Sequence, residues 1–214
     1  PEAVDEARGG GIAFAGFGLG APGTVELMNL TIADNTAYTG GGVCLESSAS
    51  VLLENCILWE NESTSSTGQE EAALYSSSIL TLKYSDMRGG NQQLVSDGCT
   101  LNWNSAPAVG NIDSDPLFGS SSQADYHLMS KRGRWRESVW IADEQNSPCI
   151  DTGDPNQDYD LEPAPNGSRI NIGAYGGTAQ ASKSVSQFDP TITAFLVKDQ
   201  STQSQLFTNE ATVA

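Results

Sequence analysis

Basic side chains are scarce in this chain: 10 Lys and Arg stand against 27 Asp and Glu, a formal net charge of −17, and histidine occurs once, as His127. That imbalance excludes a nucleic-acid binder, because phosphates demand clustered Lys and Arg, and it opposes unaided binding of polyanionic glycans. An acidic surface instead keeps a protein soluble and can gather calcium, which takes hard oxygen ligands. Long apolar runs are missing as well. Nothing approaches the roughly 18 residues of a membrane helix, and no basic stretch leads into an apolar one at the start, so no transmembrane segment is expected. The first residue is Pro1 rather than Met, which reads as a processed or excised chain. The four cysteines, Cys44, Cys56, Cys99 and Cys149, form no C-x-x-C pair. Thiolate-bound zinc is thereby disfavoured; stacked core thiols compete with one disulfide, and the thiols are preferred.

A sustained 3.6-residue period is also lacking, so helices are not expected. What the sequence does contain is a repeat. Gly9-Gly10-Gly11-Ile12 returns as Gly40-Gly41-Gly42-Val43, and Val25 to Asn35 (VELMNLTIADN) returns as Val51 to Asn61 (VLLENCILWEN). Leu80 to Met87 (LTLKYSDM) is a weaker third copy. Alternating apolar positions mark strands, and Gly and Asn punctuate them where the chain must turn with positive φ. Strands recurring at roughly 25 to 30 residues, with no helix between them, fit successive coils of a solenoid whose neighbours lie about 4.8 Å apart. Asn29 with Asn55 and Asn35 with Asn61 would then stack as ladders.

The polar run from Asn61 to Glu71 reads as a loop protruding from a coil. From about residue 99 the repeat gives way to irregular sequence carrying Trp103, Phe118, Tyr126, Trp135, Trp140 and Tyr175, the right size for a cap over the last coil. Ser184 to Pro190 reads as a linker, followed by strand-like Thr191 to Val197 and the ending Leu206 to Ala214. Two strands make no independent domain, so the tail docks on the solenoid, pairs with another chain or opens a further module. The expected division is coils over 1–98, final coil and cap over 99–182, and linker with strand-forming tail over 183–214.

Four motifs follow in order: Gly110 to Phe118 (GNIDSDPLF), Asp125 to Leu128 (DYHL), Ser147 to Pro155 (SPCIDTGDP) and Asn166 to Thr178 (NGSRINIGAYGGT). Together with the repeats they resemble the C-terminal region of secreted bacterial proteins with pectin-lyase-like β-helices of the choice-of-anchor type. The likeness covers roughly residues 9 to 182, and the tail from Thr191 resembles the start of an immunoglobulin-like module. The resemblance implies export, a right-handed parallel β-helix and anchoring at the cell surface, while activity varies across such proteins.

Several side-chain groups are candidates for chemistry. Asp151, Asp154, Asp158, Asp160 and Glu162, with Asn166, lie in a Gly- and Pro-punctuated stretch and could ligate calcium, although Asp-Pro and Asp-Gly pairs also make ordinary turns. Asp113 and Asp115 fit turn chemistry better. Glycan lyases of the resembled fold combine calcium with a basic residue, and Lys83 and Arg88, beside Asp86, are the candidates, against a solvated coil edge. Glycoside hydrolysis needs two carboxylates at fixed separation, and the sequence selects no pair among 27 acids. His127 alternates with Tyr126 and Leu128 and reads as a packed structural histidine. Arg132, Arg134, Trp135, Arg136 and Trp140 form a basic aromatic island. Exposed, Arg134, Trp135 and Trp140 would bind a sugar or an acidic partner; buried, they are cap packing.

The expected fold is thus all-β: a right-handed parallel β-helix of about four coils with an irregular C-terminal cap and a β-strand tail. The expected function is an extracellular structural or adhesion module that self-assembles into a filament through the tail, with neighbouring copies, other surface proteins or polysaccharide as partners. The alternatives are a fragment of a polysaccharide lyase or glycoside hydrolase, and a calcium-dependent glycan-binding module.

Overall fold

The computed structural model describes residues 7–15, 23–65, 68–185, 196–198 and 205–208. Strands dominate, and they fall into tiers. The first tier holds Ile12–Ala15 (β1), Thr24–Met28 (β2), Thr31–Ala33 (β3) and Thr36–Ala37 (β4). The second holds Val43–Glu46 (β5), Ser50–Glu54 (β6), Ile57–Trp59 (β7) and Glu62–Ser63 (β8). Gly68–Gln69 (β9) folds back antiparallel on β8, so the polar run after Asn61 is partly a hairpin. Ala72–Leu74 (β10), Ile79–Lys83 (β11) and Asp86–Met87 (β12) make the third tier, and Leu94–Val95 (β13) and Thr100–Asn102 (β14) stack on it as the next.

Each tier adds one parallel strand to the same sheets, which run β1-β5-β10-β13, β2-β6-β11-β14 and β3-β7-β12. The repeats in the sequence are the register itself: Ile12 pairs with Val43, and Val25 and Leu80 both pair with Val51. Corners recur with the strands. Asn29 and Asn55 both sit at φ 53° and Tyr84 at 46°, while Ser47-Ser48 and Ser76-Ser77 repeat a second left-handed corner. Such a φ is strained for most side chains, and Asn tolerates it best after Gly.

Burial follows the pattern of each strand. In β6 and β11 apolar residues alternate, so Val51, Leu53, Leu80 and Leu82 point into a core shared with Leu45, Leu58, Leu74, Met87 and Trp103. In β7 both Ile57 and Leu58 are buried, which requires cover on both faces. The C-terminal region supplies it: Ile57 packs with Leu128, Cys149 and Ile172 in a second cluster. All four cysteines are free thiols, and Cys44, Cys56 and Cys149 are buried.

The Asn ladder forms at one of its two expected places. Asn61 Oδ1 accepts from Asn35 Nδ2 at 2.9 Å, and Asn61 Nδ2 passes the chain on to Glu71. Asn55 instead turns its Oδ1 to the backbone N–H of Asp154 at 2.7 Å. That contact reports the main departure from expectation. The region from 113 onward does not only follow the last tier; it runs back along the flank of the stack. Ser114 N donates to Asp86 in the third tier, Gly173 N to Asn55 O in the second, and Ala174 N to Thr31 Oγ1 in the first.

This flanking segment carries Phe118–Ser120 (β15), a 3-10 turn at Ser121–Gln123 and Asp125–Leu128 (β16), then the hairpin Arg134–Arg136 (β17) and Val139–Ile141 (β18). In the tail, Leu196–Lys198 (β19) and Gln205–Thr208 (β20) pair antiparallel with each other, so these strands have a partner in their own sequence. Thr191 to Phe195 and Asn209 to Ala214 lie outside the described residues.

Candidate functional site

An open cavity of about 480 Å³ lies between the two hairpins of the flanking segment, lined by Gln123, Asp125, His127, Arg136, Glu137 and Tyr175. Local sequence shapes it. Ala124, at φ 56°, closes the 3-10 turn and turns the chain into β16, while Glu137 and Ser138, both left-handed, close the β17–β18 turn. Tyr175 arrives from the Gly173 to Thr178 loop and stacks on His127, with ring centroids 3.5 Å apart and planes 16° apart. His127 Nδ1 faces Asp125 Oδ1 at 2.8 Å, and Nε2 faces Gln180 Oε1 at 3.3 Å. Asp125 Oδ2 accepts from Arg134, whose Nε and Nη2 grip Asp143 at 3.1 Å each. Gly119 makes room for this guanidinium, since a Cβ there would sit 2.4 Å from Arg134 Nη1. The result is a relay from Asp143 through Arg134 and Asp125 to His127, with the imidazole at the cavity wall. Arg136 Nη2 donates to Gln123 at 2.7 Å on the rim.

The basic aromatic island therefore divides. Arg134 is only 4% exposed and committed to two carboxylates. Trp135 and Trp140 are half-buried and meet edge to face at 5.0 Å, with Lys183 Nζ 4.3 Å from the Trp140 ring centre.

Lys83 and Arg88 have different surroundings. Lys83 pairs in register with Glu54, which accepts from Gln157 Nε2 at 3.3 Å. Arg88 sits 5.8 Å over the Trp59 ring and borders a second hollow of about 390 Å³ with Asp34, Thr36, Glu60 and Glu62. The five acids considered for calcium stay separate. Asp154 Oδ1 accepts from Asn156 N, Asp158 Oδ1 from Asp160 N, and Asp151 Oδ1 from Ser184 Oγ. Glu162 Oε1 accepts from the N–H groups of Asn171 and Gly177. Among the described residues, no three His, Cys, Asp or Glu side chains are grouped to hold a metal ion.

The family model described as disaggregatase related matches residues 28–153, more than half of the chain. The chain belongs to that family. No curated protein and no solved structure matches it. The matched span runs from the end of β2 through the stacked tiers and both hairpins, and it stops one residue before Asp154. Within this disaggregatase-related chain, the lining of the His127 cavity therefore comes from the family region except for Tyr175.

Three buried carboxyls went unnoticed as a set in the sequence. Burial pushes Glu71 up to about 7, with Asn61 donating to it as a partial offset. It also pushes Asp86 up to about 7 beside the Cys149 thiol, and Glu162 up to about 7. Asp86 did carry a signal: it stands where the second copy has Ile57, an acid in an apolar register. Glu71 carried a weaker one, following the turn-rich run at the point where the earlier tier has glycine.

Proposed function

We propose that this chain is a structural or adhesion module of an extracellular surface protein. Its stacked sheets form a right-handed parallel β-helix of about four coils, and its outer strands join it to neighbouring copies or other surface proteins. The cyclic order of the parallel sheets supports the helical reading, and right-handed crossover is the strongly preferred hand. The observation that carries the assembly reading is the edge at β13 and β14. Each ends its sheet among the described residues, and Leu94 and Val95 on β13 are 39% and 38% exposed. An edge strand with free backbone groups and apolar side chains templates further pairing. The tail hairpin of β19 and β20 is too small to stand alone and is a natural second contact.

Light scattering and electron microscopy on the full chain, with calcium or with chelator, test the proposal. Concentration-dependent stacks or filaments are expected, abolished by Leu94→Lys with Val95→Lys. A monomer at high concentration that is unchanged by those substitutions and by calcium overturns it.

A second reading, a glycan-acting or glycan-binding chain, is favoured by one observation: the His127–Asp125–Arg134 relay opens on a cavity with an aromatic wall. Tyr175 with Arg136 and Gln123 suits a hydroxyl-rich ring, since aromatic faces pack on sugar faces while polar side chains meet hydroxyls. Binding or turnover on a panel of pectin, alginate and sulfated glycans, lost in Tyr175→Ala, supports this reading; loss in Lys83→Ala or on chelation would instead point to a calcium-assisted lyase.

A further inference from the structure

Two patches on the flanking segment carry opposite charge, and each holds an exposed apolar side chain. Among the described residues Leu161 and Val139 are the most exposed large apolar side chains, at 70% and 54%. Leu161 ends the run Asp158-Tyr159-Asp160-Leu161, in which both aspartates are exposed. Fixed backbone holds this loop. Asp158 Oδ1 accepts from Asp160 N at 2.8 Å, Glu162 N donates to Tyr159 O at 2.9 Å, and Asn171 N and Gly177 N anchor the Glu162 carboxylate. Leu161 is thus held out in water by a stiff turn. None of the ion pairs among the described residues includes Asp158 or Asp160. Arg169, the only Lys or Arg between residues 137 and 182, donates instead to Gly153 O at 2.6 Å and Thr152 O at 3.0 Å.

The second patch is the β17–β18 hairpin, where Val139 adjoins Trp140. Trp135 and Trp140 are register partners on the face opposite buried Arg134, and they meet edge to face. Lys183 Nζ lies over Trp140, and Lys131 and Arg132 lead into β17. No ion pair among the described residues includes Lys131, Arg132 or Lys183. The acids of this region are mostly engaged. Arg134 holds Asp125 and Asp143, and Glu137 lies at the hairpin turn, 4.0 Å from Arg136. Glu144 is left, one anion against three cations, so the patch is locally positive on a chain of net charge −17.

We propose that the Asp158–Leu161 loop of one copy docks on the Trp135–Trp140 face of a second copy, with Leu161 on the indoles and the two aspartates facing Lys131, Arg132 and Lys183. The patches are unlike, so the contact is heterologous, and its repetition builds a ring or an open chain of copies. Indole rings supply the apolar area at the centre of such a contact, while complementary charge sets orientation and partner choice. Both halves are formed before they meet, so docking orders few groups. Whole chains of this charge repel one another, and a local cluster of cations is what lets one acidic surface approach the next. The contact rests on the assembly reading in taking a second copy as partner, and it uses none of the strand-edge residues.

Light scattering and sedimentation on the full chain and two double variants test the contact. Asp160→Lys with Leu161→Lys removes the loop, and Lys131→Glu with Arg132→Glu removes the face. Each variant alone is expected to self-associate at least about tenfold more weakly than the native chain. Mixed, the two must bind each other, since each retains the patch that the other lacks. The loop variant adds three positive units to the net charge of −17, which reduces repulsion between whole chains, so its loss of association reports the patch itself. Association lost in Leu94→Lys with Val95→Lys but unchanged in both patch variants leaves the strand-edge reading standing and overturns this contact. Patch variants that lose association and fail to bind each other overturn it as well, and a native chain that stays monomeric sinks both readings.

Discussion

In the stacked tiers a strand such as β6 is placed by backbone pairing with β2 on one side and β11 on the other, and its inward side chains add apolar contact. Residues 113–185 have little of this. Their two short hairpins pair only internally, and their hold on the stack combines one small apolar cluster at Ile57 with single polar groups: Asn55, Thr31, Asp86 and Glu54. Repeated backbone bonds tolerate the loss of any one side chain, whereas a seam of individual buried polar groups fails group by group, since each unsatisfied partner costs its full desolvation. The tiers should thus answer mainly to cavities, and the segment to charge and pH.

The sharpest way to break the comparison is Arg134→Met. It takes the guanidinium away from the buried carboxylates of Asp125 and Asp143 and is expected to destabilise the segment by about 3 to 5 kcal/mol, read as early local melting in denaturant while the tiers persist. Leu53→Ala, at a fully buried position in the middle of the stack, should cost about 2 to 5 kcal/mol and lower the cooperative transition of the whole chain. Gly173→Ala is smaller. Its φ of 97° and a Cβ 2.8 Å from Ile57 Cδ1 should weaken docking by about 1 to 2 kcal/mol, visible as faster exchange at Ala174.

Titration sharpens the same contrast. Glu71, Asp86 and Glu162 are pushed up to about 7 when folded, so each contributes stability that is full below the ordinary carboxyl range and is lost as pH rises toward 7. The melting temperature should be higher at pH 5 than at pH 8, and Glu71→Gln should remove only the part of that difference that belongs to the tiers. A melting temperature that rises between those values would contradict the buried protonated state. The mildest effect is expected from Asn35→Ala, about 1 kcal/mol, because its amide donates to Asn61 at the half-covered end of the ladder.

Much of the tier architecture was legible beforehand, because a repeat writes its register into the sequence: glycine triplets and the VELMNLTIADN copies name the residues that end up opposite one another. The flank was not legible. Gln157 and Glu54 lie 103 residues apart in a chain with 27 acids, and no local pattern distinguishes a carboxyl that holds so distant a partner from one that closes an Asx turn, as Asp158 does. His127 is packed as its sequence context suggested, buried with both ring nitrogens partnered; what was not legible is that Tyr175 and Gln180 would pack it, since they reach it only when the last loop folds back.

What the sequence alone determined is the stacking: period, corner residues and alternation specify parallel strands, since each tier's pattern matches its neighbours through short-range backbone geometry. What only the tertiary structure decided is where residues 113–185 lie and which buried acids they meet, because those contacts, the polar ones and the apolar ones at Ile57 alike, are single and long-range, and their energy depends on exclusion of water that no stretch of sequence brings about by itself.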